Sequence, residues 1–191
     1  MNVHNSIPVP AAEPARIPFA AQAAWIAGFA VLTAAGARIE IPHQPVPYTL
    51  QTFFVLLSGA FLGARNGFFS QVLYLAVGAA GLPVFSGAGF GVLRLLGPTG
   101  GYLLAFPVAA ALVGYLVTKR KGFLWNITAM FAGLIVIFTF GTLVLNAVLI
   151  HDITAAFASG FLIFSWWDVV KLSAAAGIYT EFSKRFRRLP S

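Results

Sequence analysis

Cysteine is absent from this 191-residue chain, which excludes disulfides, thiolate zinc sites and cysteine nucleophiles. Charge is nearly absent as well. Only 9% of residues are charged and five are acidic, against about 25% charged in an ordinary soluble domain. Chemistry-bearing motifs are missing too. No G-x-x-x-x-G-K-[ST] run is present, so the chain has no phosphate loop with which to hydrolyse ATP. The three histidines, His4, His43 and His151, are scattered rather than spaced as metal ligands. No serine sits in a G-x-S-x-G elbow.

Apolar surface fills the space that charge leaves. Hydrophobic residues make up 59% and aromatics 15%, and the mean hydropathy is +0.87. A single core of this size cannot hide so much apolar surface, so a soluble domain is excluded and an all-α membrane protein is expected. A bilayer span needs about 20 apolar residues. The stretches 19–37, 99–118, 124–150 and 166–182 meet or approach that length. Residues 48–62 and 67–80 read as two short spans split by a Gly63-Ala64-Arg65-Asn66 turn. The stretch 153–164 is apolar but short and holds Gly160, so it reads as a loop with an interfacial helical piece. Residues 1–18 carry Pro8, Pro10, Pro14 and Pro18 and lack the basic start and apolar core of a signal peptide. They are expected to be a disordered cytoplasmic arm, ahead of a transmembrane domain over 19–186 and a basic tail over 187–191.

Six spans place both termini on one side, and the net charge of +7 says which. Arg16, Arg65, Lys119, Arg120, Lys121, Lys184, Arg185, Arg187 and Arg188 fall in the termini and even-numbered connections. The odd-numbered connections hold only Arg38 and Arg94, and Lys171 lies inside the last span. This asymmetry marks cytoplasmic termini rather than a nucleic-acid surface. Five or seven spans are the competing counts.

The outer connections carry the polar residues. Loop one runs through Pro42, Pro45 and Pro47 to Gln51, at the mouth of span two. The prolines either stiffen a turn or frame a site, and Gln51 either satisfies backbone or meets a ligand. Loop three holds glycines 81, 87, 89, 91 and 97, suited to close backbone approach or to binding. In Gly97-Pro98-Thr99-Gly100-Gly101-Tyr102, Thr99 is a suitable N-cap. The free amides of that helix start form an anion site, of the kind that transporters aim at substrate carboxylates. Arg94 either strengthens that site or sits among lipid headgroups.

The sharpest pair is Asp168 and Lys171, at i and i+3 and hence on one helix face. Charges within a span are costly and face a cavity or a partner. Trp166 and Trp167 place them just below the outer interface. A structural ion pair and a substrate contact are the two readings. Asp168 is the only acid well inside the outer half of a span, so no aspartyl dyad is available and an intramembrane enzyme is disfavoured. In span one, Ala20/Ala24, Ala23/Ala27 and Ala30/Ala34 are small-xxx-small pairs, which let a helix approach closely from inside the bundle or from a partner.

Several strings together resemble one family. They are Val46-Pro47-Tyr48-Thr49-Leu50-Gln51-Thr52, Gly59-x-x-Leu62-Gly63, Tyr74-Leu75-x-x-Gly78-x-x-Gly81-Leu82-Pro83-Val84-Phe85 and Gly97-Pro98-Thr99-Gly100-Gly101-Tyr102-Leu103. From about residue 19 to 186 the chain closely resembles BioY, the biotin-binding S component of energy-coupling factor transporters. Trp167-Asp168-Val169-Val170-Lys171 matches the family's acid and lysine at the start of its sixth helix. The family usually has Pro-Gly before that acid, where this chain has Trp166-Trp167. Phe90 interrupts the glycine run, and Arg94 comes later than the arginine some relatives carry there.

The resemblance implies a six-helix S component in a bacterial or archaeal cell membrane. It would capture biotin from outside and use no cofactor. A transmembrane coupling protein and two ATPase subunits would dock at Ala20, Ala23, Ala24 and Ala27. Asp168 would accept from the ureido N–H groups of biotin. Lys171, Arg94 and the amides of Thr99, Gly100 and Gly101 would meet its carboxylate. Phe85, Tyr102 or Trp166 would pack on the bicycle, with Gln51 and Gly87 completing the site. Another vitamin on the same architecture, or a solitary carrier or channel, are the alternatives. The topology is testable because the chain has no native cysteine. A cysteine at Ser86 should react with an impermeant thiol reagent outside intact cells, and one at Gly122 should not; the reverse pattern overturns the orientation.

Overall fold

The computed structural model describes residues 18–162 and 166–185. All but the last residue of the expected arm over 1–18, residues 163–165, residue 186 and the expected tail over 187–191 lie outside them. Helix α1, Phe19–Arg38, starts at Pro18, whose carbonyl accepts from the amides of Ala21 and Gln22. Two short strands follow, β1 (Glu40–Ile41) and β2 (Tyr48–Thr49), antiparallel with Glu40 opposite Thr49. The pairing turns the chain back, and Leu50 N–H bonds the carbonyls of Gly36 and Ile39. Helix α2 therefore begins beside the end of α1.

Helix α2, Gln51–Ala79, is broken at Gly63, with φ 78° and ψ 178°, a conformation open essentially to glycine alone. The break is a reversal. The Gln71 side chain donates to Ser58 Oγ at 3.0 Å, although 13 residues of straight helix would separate them by roughly 20 Å. A Cβ on Gly67 would lie 2.9 Å from the Gly59 Cα. The arms 51–62 and 64–79 thus form a helical hairpin. The two helical arms expected from the sequence are present, but the turn is one residue, not four: Ala64, Arg65 and Asn66 are helical.

Loop three leads through a short 3-10 turn, Ser86–Ala88, to α3 (Val92–Leu96) and then to α4 (Gly100–Lys119) and α5 (Phe123–Leu145). A π-turn, Asn146–Ile150, extends α5. Asp152 then caps α6, Ile153–Ala156, by accepting from Thr154 and Ala155 N–H at 2.8 and 3.1 Å. A second π-turn, Phe157–Phe161, continues it. The stretch expected as a loop with a helical piece is helical from 153 to 161. It docks on the bundle through the Tyr102 hydroxyl, which donates to the Gly160 carbonyl at 2.9 Å, and through Phe161, whose ring meets Phe138 of α5 with centroids 6.2 Å apart. Helix α7, Trp166–Arg185, closes the bundle.

Among the described residues, four helices are long and apolar enough to cross a membrane: α1, α2, α4, and α5 with its extension to Ile150. The bent pair Ile153–Phe161 and Trp166–Lys184 passes the same test jointly. With α2 folded on itself, α1, its two arms, α4, α5 and α7 are six helical arms, compatible with the expected six-helix bundle. Large apolar side chains cover the outside as well, among them Val31, Leu104, Leu124, Phe140 and Leu143. Helices apolar on all faces belong in lipid, so the chain is a multi-pass membrane protein.

Glycines set the spacing inside. A Cβ on Gly59 would meet the Ala110 carbonyl oxygen at 2.2 Å, and one on Gly114 would meet Ala64 N at 2.4 Å. Helix α4 therefore lies directly on the hairpin. Polar glue joins α1 to it: Gln71, fully buried, donates to Thr33 Oγ1 at 3.2 Å as well as to Ser58. On α1, Ala30 is buried and Ala34 half-buried, so this pair packs internally. Ala20, Ala23, Ala24 and Ala27 are exposed, and a Cβ on Gly28 would meet nothing within 4 Å. Overpacking a tight helix contact costs about 1–3 kcal/mol, whereas Gly→Ala at an open helical site gains up to about 1 kcal/mol. Gly59→Ala should therefore lower the thermal unfolding midpoint in detergent, and Gly28→Ala should leave it level or raise it. Equal shifts would contradict the packing described.

Candidate ligand-binding site

The reversal at Gly63 places both ends of α2 at one end of the bundle, together with loop one, loop three and the start of α7. An inner cavity of about 60 Å³ lies there. Its walls come from Pro47, Thr49 and Gln51, from Ser86 and Thr99, from Tyr102 and Phe106 of α4, from Ile137 and Phe138 of α5, and from Asp168 and Lys171 of α7. Ligand pockets run to about 300–1,000 Å³, so the inner cavity alone is small. A cleft of about 590 Å³ adjoins it through the shared residues Pro47, Ser86 and Thr99. Glu40, His43, Gly87 and Arg94 line that cleft.

Asp168 and Lys171 are 2% and 5% exposed, and their charged atoms are 2.7 Å apart. Lys171 Nζ also donates to the Thr49 carbonyl at 3.0 Å and to Thr52 Oγ1 at 2.8 Å. An ammonium has three N–H donors, and these three acceptors take all of them. The expectation that Lys171 offers a cation to a ligand carboxylate therefore meets a geometric obstacle: the amine is engaged in tying α7 to the start of α2.

Gln51 is 4% exposed and lines the cavity. Its Oε1 accepts from the Thr49 hydroxyl at 3.0 Å, and its Nε2 donates to the Tyr74 hydroxyl. Tyr74 in turn donates to the Val84 carbonyl at 3.2 Å. The sequence reading missed Tyr74, Thr49 and Thr52, because only the hairpin fold brings Tyr74 from the far arm of α2 to Gln51. Loop three is held over this end by further ties: Arg38 Nη2 donates to the Pro83 carbonyl, and Gly87 N–H donates to Glu40 Oε2 at 3.0 Å.

The remaining expected residues divide into two groups. Tyr102 lines the inner cavity, Thr99 both cavities, and Gly87 and Arg94 the outer cleft. Arg94 Nη2 lies 3.4 Å from Ser86 Oγ. The others are elsewhere. Phe85 is fully buried edge-on to Tyr74 and fills the place a Cβ on Gly78 would take, outside the cavity lining. Trp166 is 75% exposed and stands against Trp167. Gly100 and Gly101 are packing glycines, because a Cβ on them would meet the Leu95 carbonyl oxygen at 1.8 Å and the Val144 side chain at 2.5 Å. The Thr99 side chain makes no cap to α4; its backbone is already near-helical, and Gly100 N–H bonds back to the Gly97 carbonyl at 2.9 Å.

The comparisons with known proteins agree with one another. The family model described as BioY family matches residues 7–188. The chain belongs to the BioY family. It is 44% identical to the biotin transporter BioY of Thermotoga maritima, over 82% of this chain and 92% of that one. It is 40% identical to the probable biotin transporter BioY of Pyrococcus horikoshii, with the same coverage. The fold is similar to the crystal structure of the S-component for biotin from an ECF-type ABC transporter, with a TM-score of 0.79 and 24% identity over 86% of this chain and 92% of that chain.

Removing one member of a buried ion pair costs about 3–5 kcal/mol, because it strands the other charge. Lys171→Met should destabilise the protein by that order. Adding Asp168→Asn should recover much of the loss, read as the unfolding midpoint in detergent. A double variant that loses the full sum of the two single costs would show that the charges do not act as a pair.

Proposed function

We propose that this chain is the biotin-capturing S component of an energy-coupling factor transporter. The observation that carries this reading is the convergence of Gln51, Asp168 and Lys171 in one buried cluster, in a BioY-family bundle whose basic residues gather at the opposite end. Arg65, Lys119, Arg120, Lys121 and Lys184 mark that basic end as cytoplasmic by the positive-inside rule, so the cavity faces outward in the cell membrane and both termini lie inside.

Biotin has a neutral ureido ring at one end and a carboxylate at the other. A carboxylate beside Asp168 would be repelled, and Lys171 has no N–H left to offset it. The ureido ring therefore belongs in the inner cavity, where Asp168 accepts from its N–H groups and Tyr102, Phe106 and Phe138 cover its bicycle. The valerate chain then runs past Pro47, Ser86 and Thr99 into the outer cleft, where Arg94 meets the carboxylate. This orientation makes the inner cluster selective and the outer one attractive to anions.

The chain acts as a carrier and takes its energy from partners. A transmembrane coupling protein docks on the exposed face of Ala20, Ala23, Ala24 and Ala27, where small side chains allow close helix approach. Two ATPase subunits complete the complex.

Biotin titration of the purified protein tests the assignment. Wild type should bind biotin over other vitamins, and Asp168→Asn should weaken binding by roughly 10- to 150-fold, the equivalent of one hydrogen bond to a charged group. Preference for a different vitamin would replace the substrate. In vesicles holding the ATPase module, Ala27→Phe should abolish uptake and leave binding intact; loss of both in parallel would place Ala27 in bundle packing.

A further inference from the structure

We infer that Tyr74, behind the cavity wall and hydrogen-bonded to Gln51, is a positioning residue that sets the chemical selectivity of the inner cavity. It does so by fixing the Gln51 amide so that one N–H points to a ligand carbonyl. This rests on the biotin reading above and names the group recognised: the carbonyl oxygen of a cyclic urea.

The hydrogen-bond directions leave a single consistent arrangement. The Val84 carbonyl can only accept, so the one hydroxyl proton of Tyr74 goes to it at 3.2 Å. The Tyr74 oxygen must then accept from Gln51, which requires the amide nitrogen on that side. The Gln51 oxygen is thereby turned toward Thr49, whose hydroxyl donates to it at 3.0 Å. Thr49 is itself anchored, since its carbonyl accepts from Lys171 at 3.0 Å. Both ends of the amide are held, and a flip would set the Gln51 oxygen against the Tyr74 oxygen, whose proton is given to Val84, and take from the Thr49 hydroxyl its acceptor.

One N–H of Gln51 Nε2 is spent on Tyr74, and the amide has a second. Gln51 lines the inner cavity and is 4% exposed, while Tyr74 is 1% exposed and absent from the cavity wall. Lys171 has no donor left for a ligand, as shown above. Among the described residues the cavity thus pairs an acceptor, Asp168, with a directed donor, Gln51. A cyclic urea presents the complement: N–H groups beside one carbonyl. A flipped Gln51 would present its oxygen to the same carbonyl and repel it, so the Tyr74 hydroxyl is what rejects the wrong amide orientation.

The test compares biotin with its thio-ureido analogue, in which a weakly accepting sulfur replaces the oxygen, using purified full-length protein and calorimetric titration. Tyr74→Phe keeps the ring against Phe85 and removes only the hydroxyl. It should weaken biotin binding about 3- to 10-fold, the size of one neutral hydrogen bond, and leave the analogue's affinity unchanged, so that discrimination narrows. In a Gln51→Leu background the same change should cost nothing further. Gln51→Glu removes the donor with Tyr74 in place and should narrow discrimination too, which reads the same step should Tyr74→Phe not yield folded protein. Equal weakening of both ligands, or full additivity with Gln51→Leu, overturns the role of Tyr74 and leaves the biotin assignment standing. Wild-type protein that binds neither ligand overturns both.

Discussion

An ammonium buried at the end of a membrane bundle constrains everything around it. Lys171 is 5% exposed, and a charge there is tolerated only with an anion and a full set of acceptors. Asp168 is local, one turn earlier on the same face. The other two acceptors, the Thr49 carbonyl and Thr52 Oγ1, come from 122 and 119 residues earlier in the chain. Satisfying this amine therefore requires loop one to fold back through the β1–β2 pair and α2 to start beside α7. The same contacts shape the cavity: Thr49 holds Gln51, and Gln51 and Asp168 face the same space. The packing at this end and the shape of the cavity rest on one group of hydrogen bonds.

The opposite constraint operates in the body of the bundle, where lipid supplies no hydrophobic force to press helices together. Close approach replaces it. Gly67 lets the two arms of the hairpin meet, Gly59 and Gly114 let the hairpin and α4 meet backbone to backbone, and the fully buried trio Thr33, Ser58 and Gln71 binds α1 to the hairpin. The face of α1 that this trio does not engage keeps its alanines exposed. Internal packing thus uses one side of α1 and leaves the other side exposed.

Legibility in the sequence followed contrast. Asp168 and Lys171 stand out because a charge in an apolar run has no cheap explanation, and their pairing follows from spacing alone. The spans were legible for the same reason, since apolar length is a one-dimensional property. The reversal was legible as a turn over 63–66, but its confinement to Gly63 was not, because a glycine does not announce its φ. Tyr74 was invisible, as an aromatic in an apolar helix whose partner Gln51 lies 23 residues away. Phe85 and Trp166 show the converse error. Each looked suited to stack on a ligand, but one fills the gap over Gly78 and the other faces outward. Thr99 had the right chemistry for a cap at the right place, yet its near-helical backbone removes the geometry that capping needs.

The two cavities explain why polar groups sit at unequal depth. The inner one, about 60 Å³, holds the buried acid and the amide, and the outer one, about 590 Å³, holds the arginine. A desolvated hydrogen bond discriminates strongly, because a mismatched ligand leaves a buried group unpaired. A charge near water discriminates weakly but attracts at longer range. On the proposed reading, Arg94 in the outer cleft draws an anionic ligand in. On the same reading, Gln51 and Asp168 in the inner cavity decide whether it fits. Exchanging the two would forfeit both properties, because a buried arginine would need its own anion and an exposed amide would read nothing that water could not.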